Sequence, residues 1–245
     1  MTDNTAPLPK TRSDLGVRTL SSVVMMSVAI GAIYIGGYAF MALVIAVGLG
    51  VFFEYSRLVL GFAKGIPSRL VWLAGGVVYV GLACFTLLIF SAPFFGMTPA
   101  IMLIAGVIGT DVGAYFVGRN LGGPKIAPRI SPSKTWSGLF GGMLGAGLAM
   151  VAIQAAIYAT RGGHAGDGDV YLAYGWSRLM LTGAALAVIA QAGDFFESWM
   201  KRRAGVKDSG GLIPGHGGLF DRTDGLIAVA FAAGLVMLFQ YSAGS

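Results

Sequence analysis

Charge is scarce in this sequence: only 11% of its 245 residues are Asp, Glu, Lys or Arg, against about 25% in an average soluble domain. That shortage excludes an ordinary soluble globule. It also excludes disorder, because unfolded chains owe their expansion to a polar, charged composition. A single cysteine, Cys84, cannot form an intrachain disulfide; it lies in an apolar run and reads as a small core hydrophobe. There is no internal repeat, no coiled-coil heptad and no Walker A spacing, so a P-loop nucleotidase is not indicated.

Apolar residues (56%) and glycine (39 residues) are plentiful instead, as in membrane helices, where small residues let backbones approach. Crossing about 30 Å of hydrocarbon takes about 20 helical residues. Runs of that order predict spans near 19–36, 38–54, 70–92, 99–118, 137–159, 179–200 and 224–241. The expected fold is therefore all-α, a polytopic integral membrane bundle of about seven transmembrane helices. Residues 1–18 read as a cytoplasmic tail and 19–245 as one membrane-embedded domain. The first run has no small-residue cleavage site and a second span follows at once across Gly36-Gly37, so it reads as a retained helix.

If the spans alternate, 15 of the 17 Lys and Arg residues fall on one side of the membrane and only Arg161 and Arg178 on the other. The positive-inside rule then places the N-terminus in the cytoplasm and the C-terminus outside. The net charge of +6 is explained by loop orientation and anionic lipid, with no nucleic acid as partner.

Asp111, Asp194, Glu197 and Asp224 interrupt or border the later spans. A carboxylate at membrane depth costs at least about 2.5 kcal/mol, so each should face a polar cavity, a cation or a partner. Asp111 and Tyr115 share a helix face, and Asp194, Glu197, Ser198 and Lys201 share another. Glu197 and Lys201 can also be a simple i, i+4 pair, whereas Asp194 has no basic residue within one turn. Glu54, at the end of a span beside Arg57, reads as a local interfacial pair.

The densest chemistry runs from Ser198 to Asp224. Lys201, Arg202, Arg203, Lys207 and Arg222 are charge-assisted donors for phosphate. Gly215, Gly217 and Gly218 around His216 let backbone N–H groups approach an anion. Asp221 and Asp224, together with Asp194, can hold a hard divalent cation that bridges to phosphates. A second phosphate-seeking loop holds Arg119, Lys125, Arg129, Ser131, Ser133, Lys134 and Thr135.

These residues carry a resemblance. Ser198, Lys201, Arg202, Lys207, Asp208, Pro214, His216, Gly217, Gly218, Asp221, Arg222 and Asp224 meet the long pattern of the phosphatidate cytidylyltransferase (CDP-diacylglycerol synthase) family. The chain also resembles that family at Asp111 to Tyr115 with Gly118-Arg119, at Ile130 to Thr135, and at Gln191 to Asp194. The similarity is strong over residues 105–241 and only in outline before them. Two departures stand out: many members are longer by about two spans, and many have His-Lys where this chain has Pro124-Lys125.

The resemblance implies cytidylyl transfer from CTP to phosphatidate with Mg²⁺, with or without a second cation, at a bacterial-type cytoplasmic membrane. It implies metal ligation by Asp194, Asp221 and Asp224, and phosphate neutralisation by Lys201, Arg202, Lys207 and Arg222. His216 is expected to hydrogen-bond an oxygen of the nucleotide or pyrophosphate, and Asp111 to complete the cavity or orient a cation through water. Tyr115, Arg119, Lys125, Ser131, Ser133, Lys134, Thr135, Ser198, Asp208, Gly217 and Gly218 are the further expected substrate contacts. A homodimer is suggested by the family and by Gly138, Gly141, Gly142 and Gly145, which can equally pack within one subunit.

A related transferase acting on another lipid phosphate is the nearest alternative, and a transporter with acids along an ion path a more distant one. A CDP-alcohol phosphotransferase is excluded, because Asp224 to Ala228 is followed by Val229 in place of the arginine of that signature.

Overall fold

The computed structural model describes residues 12–160 and 175–244. Arg161 and the first 11 residues of the expected tail lie outside the described residues. Among the described residues, seven helices make up the bundle: α1 (Arg12–Ile35), α2 (Gly37–Phe62), α3 (Ile66–Phe90), α4 (Thr98–Leu121), α5 (Trp136–Thr160), α6 (Trp176–Ala204) and α7 (Phe220–Ala243). All seven are long and apolar enough to cross a membrane.

Most boundaries move outward from the expected spans, with consequences for the site. Helix α2 runs on to Phe62, so Glu54 is inside it and not at its end. Asp221 and Asp224 are both inside α7. Helix α1 begins at Arg12, within the stretch expected as tail.

The basic loop between α4 and α5 is a small antiparallel hairpin of β1 (Lys125–Ala127) and β2 (Ser131–Thr135). It runs directly into α5, where the Thr135 hydroxyl accepts the Gly138 amide at 3.1 Å and caps the helix. Helix α6 ends in a Schellman motif at Gly205 (φ 72°), with Val206 N donating to Lys201 O at 3.0 Å and Gly205 N to Arg202 O at 3.3 Å. The last turn of α6 thus carries Lys201, Arg202 and Arg203, where cations complement the helix dipole.

Packing falls into two parts. One core joins α2, α3, α6 and α7 around Tyr55, Met200, Phe220 and Ile227. The other joins α4, α5, α6 and α7 around Leu103, Val107, Met150 and Leu186. Helices α4 and α5 cross at backbone contact: a Cβ on Gly109 would lie 2.5 Å from the Gly145 carbonyl oxygen and 2.7 Å from Ala149 Cβ. Gly138, Gly141, Gly142 and Gly145 face α4 of the same chain, so the small-residue ridge is spent inside the subunit.

Candidate active site

One end of the bundle collects the polar chemistry. The hairpin, the 205–219 loop, the start of α1 and the last turns of α2 and α6 all meet there. Beneath them is a cavity of about 190 Å³ lined by Thr110, Asp111, Ala114, Lys134, Ala190, Gln191, Asp194, Asp221, Asp224 and Gly225. Four carboxylates from α4, α6 and α7 therefore face one small space with a single lining amine.

Each acid is held differently. Asp194 is paired with Lys134, which reaches it from β2. The absence of a basic residue within one helical turn of Asp194 is thus made good from another element. Asp221 is the most constrained: its Oδ2 accepts Ser209 N and Gly218 N, each at 2.8 Å, and shares with Glu54 the one proton of the Ser209 hydroxyl, 2.8 Å away, while its Oδ1 accepts Lys201 Nζ at 2.6 Å. Oδ2 is saturated, while Oδ1 keeps a lone pair. Asp224 Oδ1 takes only its neighbour's amide, Gly225 N, at 2.8 Å. Asp111 lines the cavity from α4.

Glu197 and Lys201 do form the i, i+4 pair, at 2.6 Å, but Lys201 bridges on to Asp221 at the same distance. Glu197 is 1% exposed, and among the described residues its Oε1 has no hydrogen-bond partner.

The expected phosphate ligands divide into free and engaged groups. Lys207 and Asp208 are exposed on the 205–219 loop. Arg222 Nη2 donates to His216 O at 2.9 Å, fastening the loop to α7. Both ring nitrogens of His216 are occupied, Nδ1 by Ser21 Oγ at 2.9 Å and Nε2 by Ser22 Oγ at 3.0 Å. The loop around it is a tight turn, with Gly215 and Gly217 at φ 75° and 82°, a region where side chains are strained.

Arg202 reaches Ile130 O in the hairpin at 3.4 Å, and Arg119 bonds the Tyr115 hydroxyl and stacks on its ring. Lys125 Nζ meets Ser133 O across the hairpin at 3.4 Å. Ser131 and Thr135 are buried, Thr135 as the α5 cap, whereas Ser133 is exposed. Ser198, half-buried on α6, is one turn from Asp194.

Sequence reasoning missed Thr110 and Gln191 as lining residues; Gln191 Nε2 is buried without a hydrogen-bond partner among the described residues. It also misplaced Glu54. That side chain is fully buried and does not pair with Arg57, whose guanidinium lies 5.9 Å from the centre of the Phe53 ring. Its Oε2 accepts Phe220 N at 2.8 Å and Ser209 Oγ at 3.0 Å. The signal was present: Phe52-Phe53 before it and Leu58-Val59-Leu60 after it mark an acid inside an apolar run.

The donor chemistry suits a hard cation shared with a ligand. Among the described residues no three His, Cys, Asp or Glu side chains are gathered as a protein-only metal cage. One or two carboxylates plus substrate phosphates are, however, the usual way Mg²⁺ is held, and a four-carboxylate wall meets that need.

Residues 63–240 match the cytidylyltransferase family. The phosphatidate cytidylyltransferase of Brucella suis biovar 1 (strain 1330) is 35% identical over 269 aligned positions, covering 93% of each chain. That of Rickettsia typhi (strain ATCC VR-144 / Wilmington) is 34% identical, over 91% of this chain and 92% of the relative. Both relatives are matched over nearly their whole length. The chain belongs to the cytidylyltransferase family.

Proposed function

We propose that this membrane protein transfers the cytidylyl group of CTP to phosphatidate, forming CDP-diacylglycerol and releasing pyrophosphate. The observation that carries the reading is the wall of four carboxylates in one small cavity, in a chain whose relatives bear the name of that activity.

An oxygen of the lipid phosphate attacks the α-phosphorus of CTP. The bond from that phosphorus to the α–β bridging oxygen breaks, and its electron pair leaves on pyrophosphate. The nucleophile is already an anion, so no side chain has to remove a proton. The obstacle is repulsion between two anions, and it is met by placed cationic groups and by holding the reactants in line.

Asp194 and Asp224 would hold Mg²⁺, with Asp221 beside them in the same wall. When bound, the ion supplies phosphate neutralisation and polarises a phosphoryl oxygen. Lys201, held by Glu197 and Asp221, sets the Asp221 carboxylate. Lys134 from the hairpin and the exposed Lys207 bring positive charge to the entering phosphates. Arg222 and His216 tie the glycine-rich turn to α7 and α1, presenting its backbone N–H groups.

The site belongs at the cytoplasmic face of a bacterial-type cytoplasmic membrane, in one membrane-embedded domain with the N-terminus inside and the C-terminus outside. In support, the basic hairpin and the basic last turn of α6 are gathered at one end of the bundle. There CTP arrives from water while the lipid keeps its acyl chains in the bilayer. A homodimer would have to use a face other than the glycine ridge of α5.

The test is incorporation of radiolabelled CTP into a lipid fraction by the purified chain, with phosphatidate present or omitted. Label in lipid only when phosphatidate is added is expected. No incorporation with both substrates and Mg²⁺ present sinks the reading.

A further inference from the structure

Among the described residues, Glu54 is the one fully buried acid that the reaction as written leaves without a task. It lies outside the residues 63–240 matched to the family. Burying a carboxylate is costly, and an apolar side chain would fill the same space more cheaply. Among the described residues its Oε1 has no hydrogen-bond partner, so what it contributes comes from Oε2.

Both bonds of Oε2 go to the ends of one loop: the Ser209 hydroxyl at 3.0 Å where the loop enters, and Phe220 N at 2.8 Å where α7 begins. The same Ser209 hydroxyl lies 2.8 Å from Asp221 Oδ2, so its one proton is shared between the two carboxylates. Two glycines make room for the arrangement. A Cβ on Gly210 would lie 2.6 Å from Glu54 Cδ, and one on Gly218 2.5 Å from Oε2. The loop is therefore shaped around a side chain that comes from α2, more than 150 residues earlier in the chain (separations 155 and 166).

We propose that Glu54 is a positioning residue of the transfer reaction: it clamps both ends of the 209–220 loop and, through Ser209, sets the Asp221 carboxylate in the cavity wall. This rests on the function proposed above. Glu54 touches no reacting atom. It acts by holding the α7 start and the loop against α2, so its loss should slow turnover more than it weakens lipid binding.

The experiment compares wild type, Glu54→Ala, Glu54→Gln and Ser209→Ala as full chains in detergent. It measures kcat and KM for CTP and phosphatidate, with thermal melts to count folded protein. For Glu54→Ala, kcat per folded molecule is expected to fall at least about tenfold with KM for phosphatidate within about twofold. Glu54→Gln is expected to restore most of that loss, because its amide oxygen can still accept the Phe220 N–H.

A purely structural role would lower the folded fraction and leave kcat per folded molecule intact. A smaller fall for Glu54→Ala, a rise in phosphatidate KM that accounts for the loss, or a Gln variant as slow as the Ala variant overturns the proposal. Should Glu54→Ala yield no folded protein, Ser209→Ala decides: a kcat drop of about threefold or more supports it, and a smaller one overturns it. A wild type that fails to make lipid product would instead remove the underlying functional reading, a result separable from any of these.

Discussion

Replacing Asp221 with asparagine is nearly isosteric, yet the structure leaves the amide no comfortable orientation. With Nδ2 in the Oδ1 position, it would confront the Lys201 ammonium that now sits 2.6 Å away. With Nδ2 in the Oδ2 position, it would face two backbone N–H donors, Ser209 and Gly218, each now at 2.8 Å. Either way a donor meets a donor, and the charge opposite Lys201 is lost. Hydrogen bonds to charged groups contribute about 1.5–3 kcal/mol each. Screening by water is small here, since the Asp221 and Lys201 side chains are 10% and 16% exposed.

Lys201 keeps its bond to Glu197, so the penalty of a fully orphaned buried charge, about 3–5 kcal/mol, is not reached in full. A loss of about 3 kcal/mol of alignment at the cavity is expected, which corresponds to roughly a hundredfold in rate. The assay is kcat for CTP incorporation in detergent, normalised to folded protein by a thermal melt. Activity within about threefold of wild type, under about 1 kcal/mol, would refute both the geometric reasoning and the placement of Asp221 in the site.

Two further outcomes are expected. Gly109→Ala should destabilise the protein by about 1–3 kcal/mol, seen as a lower unfolding midpoint in detergent, because the new methyl collides with the Gly145 carbonyl and Ala149. Gly81→Ala, with nothing within 4 Å of its Cβ position, is the control and should be neutral or gain up to about 1 kcal/mol from helix propensity. For orientation, cysteines at Lys64 and Phe95, in a Cys84→Ala background, should react with an impermeant maleimide from opposite sides of the membrane, Lys64→Cys from the cytoplasmic side. Labelling of both from one side would contradict the alternation of spans.

The helices were legible because each must satisfy its own backbone in lipid, which makes a long apolar run close to sufficient for predicting a span. The clustering of Asp111, Asp194, Asp221 and Asp224 was legible in part, since an acid in an apolar run demands a polar neighbour. The identity of the neighbour was not. Asp194 looks unpaired along its own helix, and its partner Lys134 comes from a hairpin between two other helices. Glu54 looks like half of a local pair with Arg57, because three residues of separation is all that a sequence displays. The helix carries Arg57 toward Phe53 and turns Glu54 inward, onto Ser209 and Phe220.

By itself the sequence determined the seven-helix membrane architecture, the gathering of basic residues on alternate connections and the set of chemical groups available for phosphate and cation binding. These are properties of composition and of order along one dimension. The tertiary structure decided which of those groups are free to act. It spends Thr135 on a helix cap, both nitrogens of His216 on α1, and Lys201 on two carboxylates, while leaving Lys207 exposed. It also placed an acid from α2 beneath a loop at the far end of the chain. The physical reason is that a hydrogen bond or ion pair is specified by a distance of about 3 Å in space, and only packing sets such distances between residues remote in sequence.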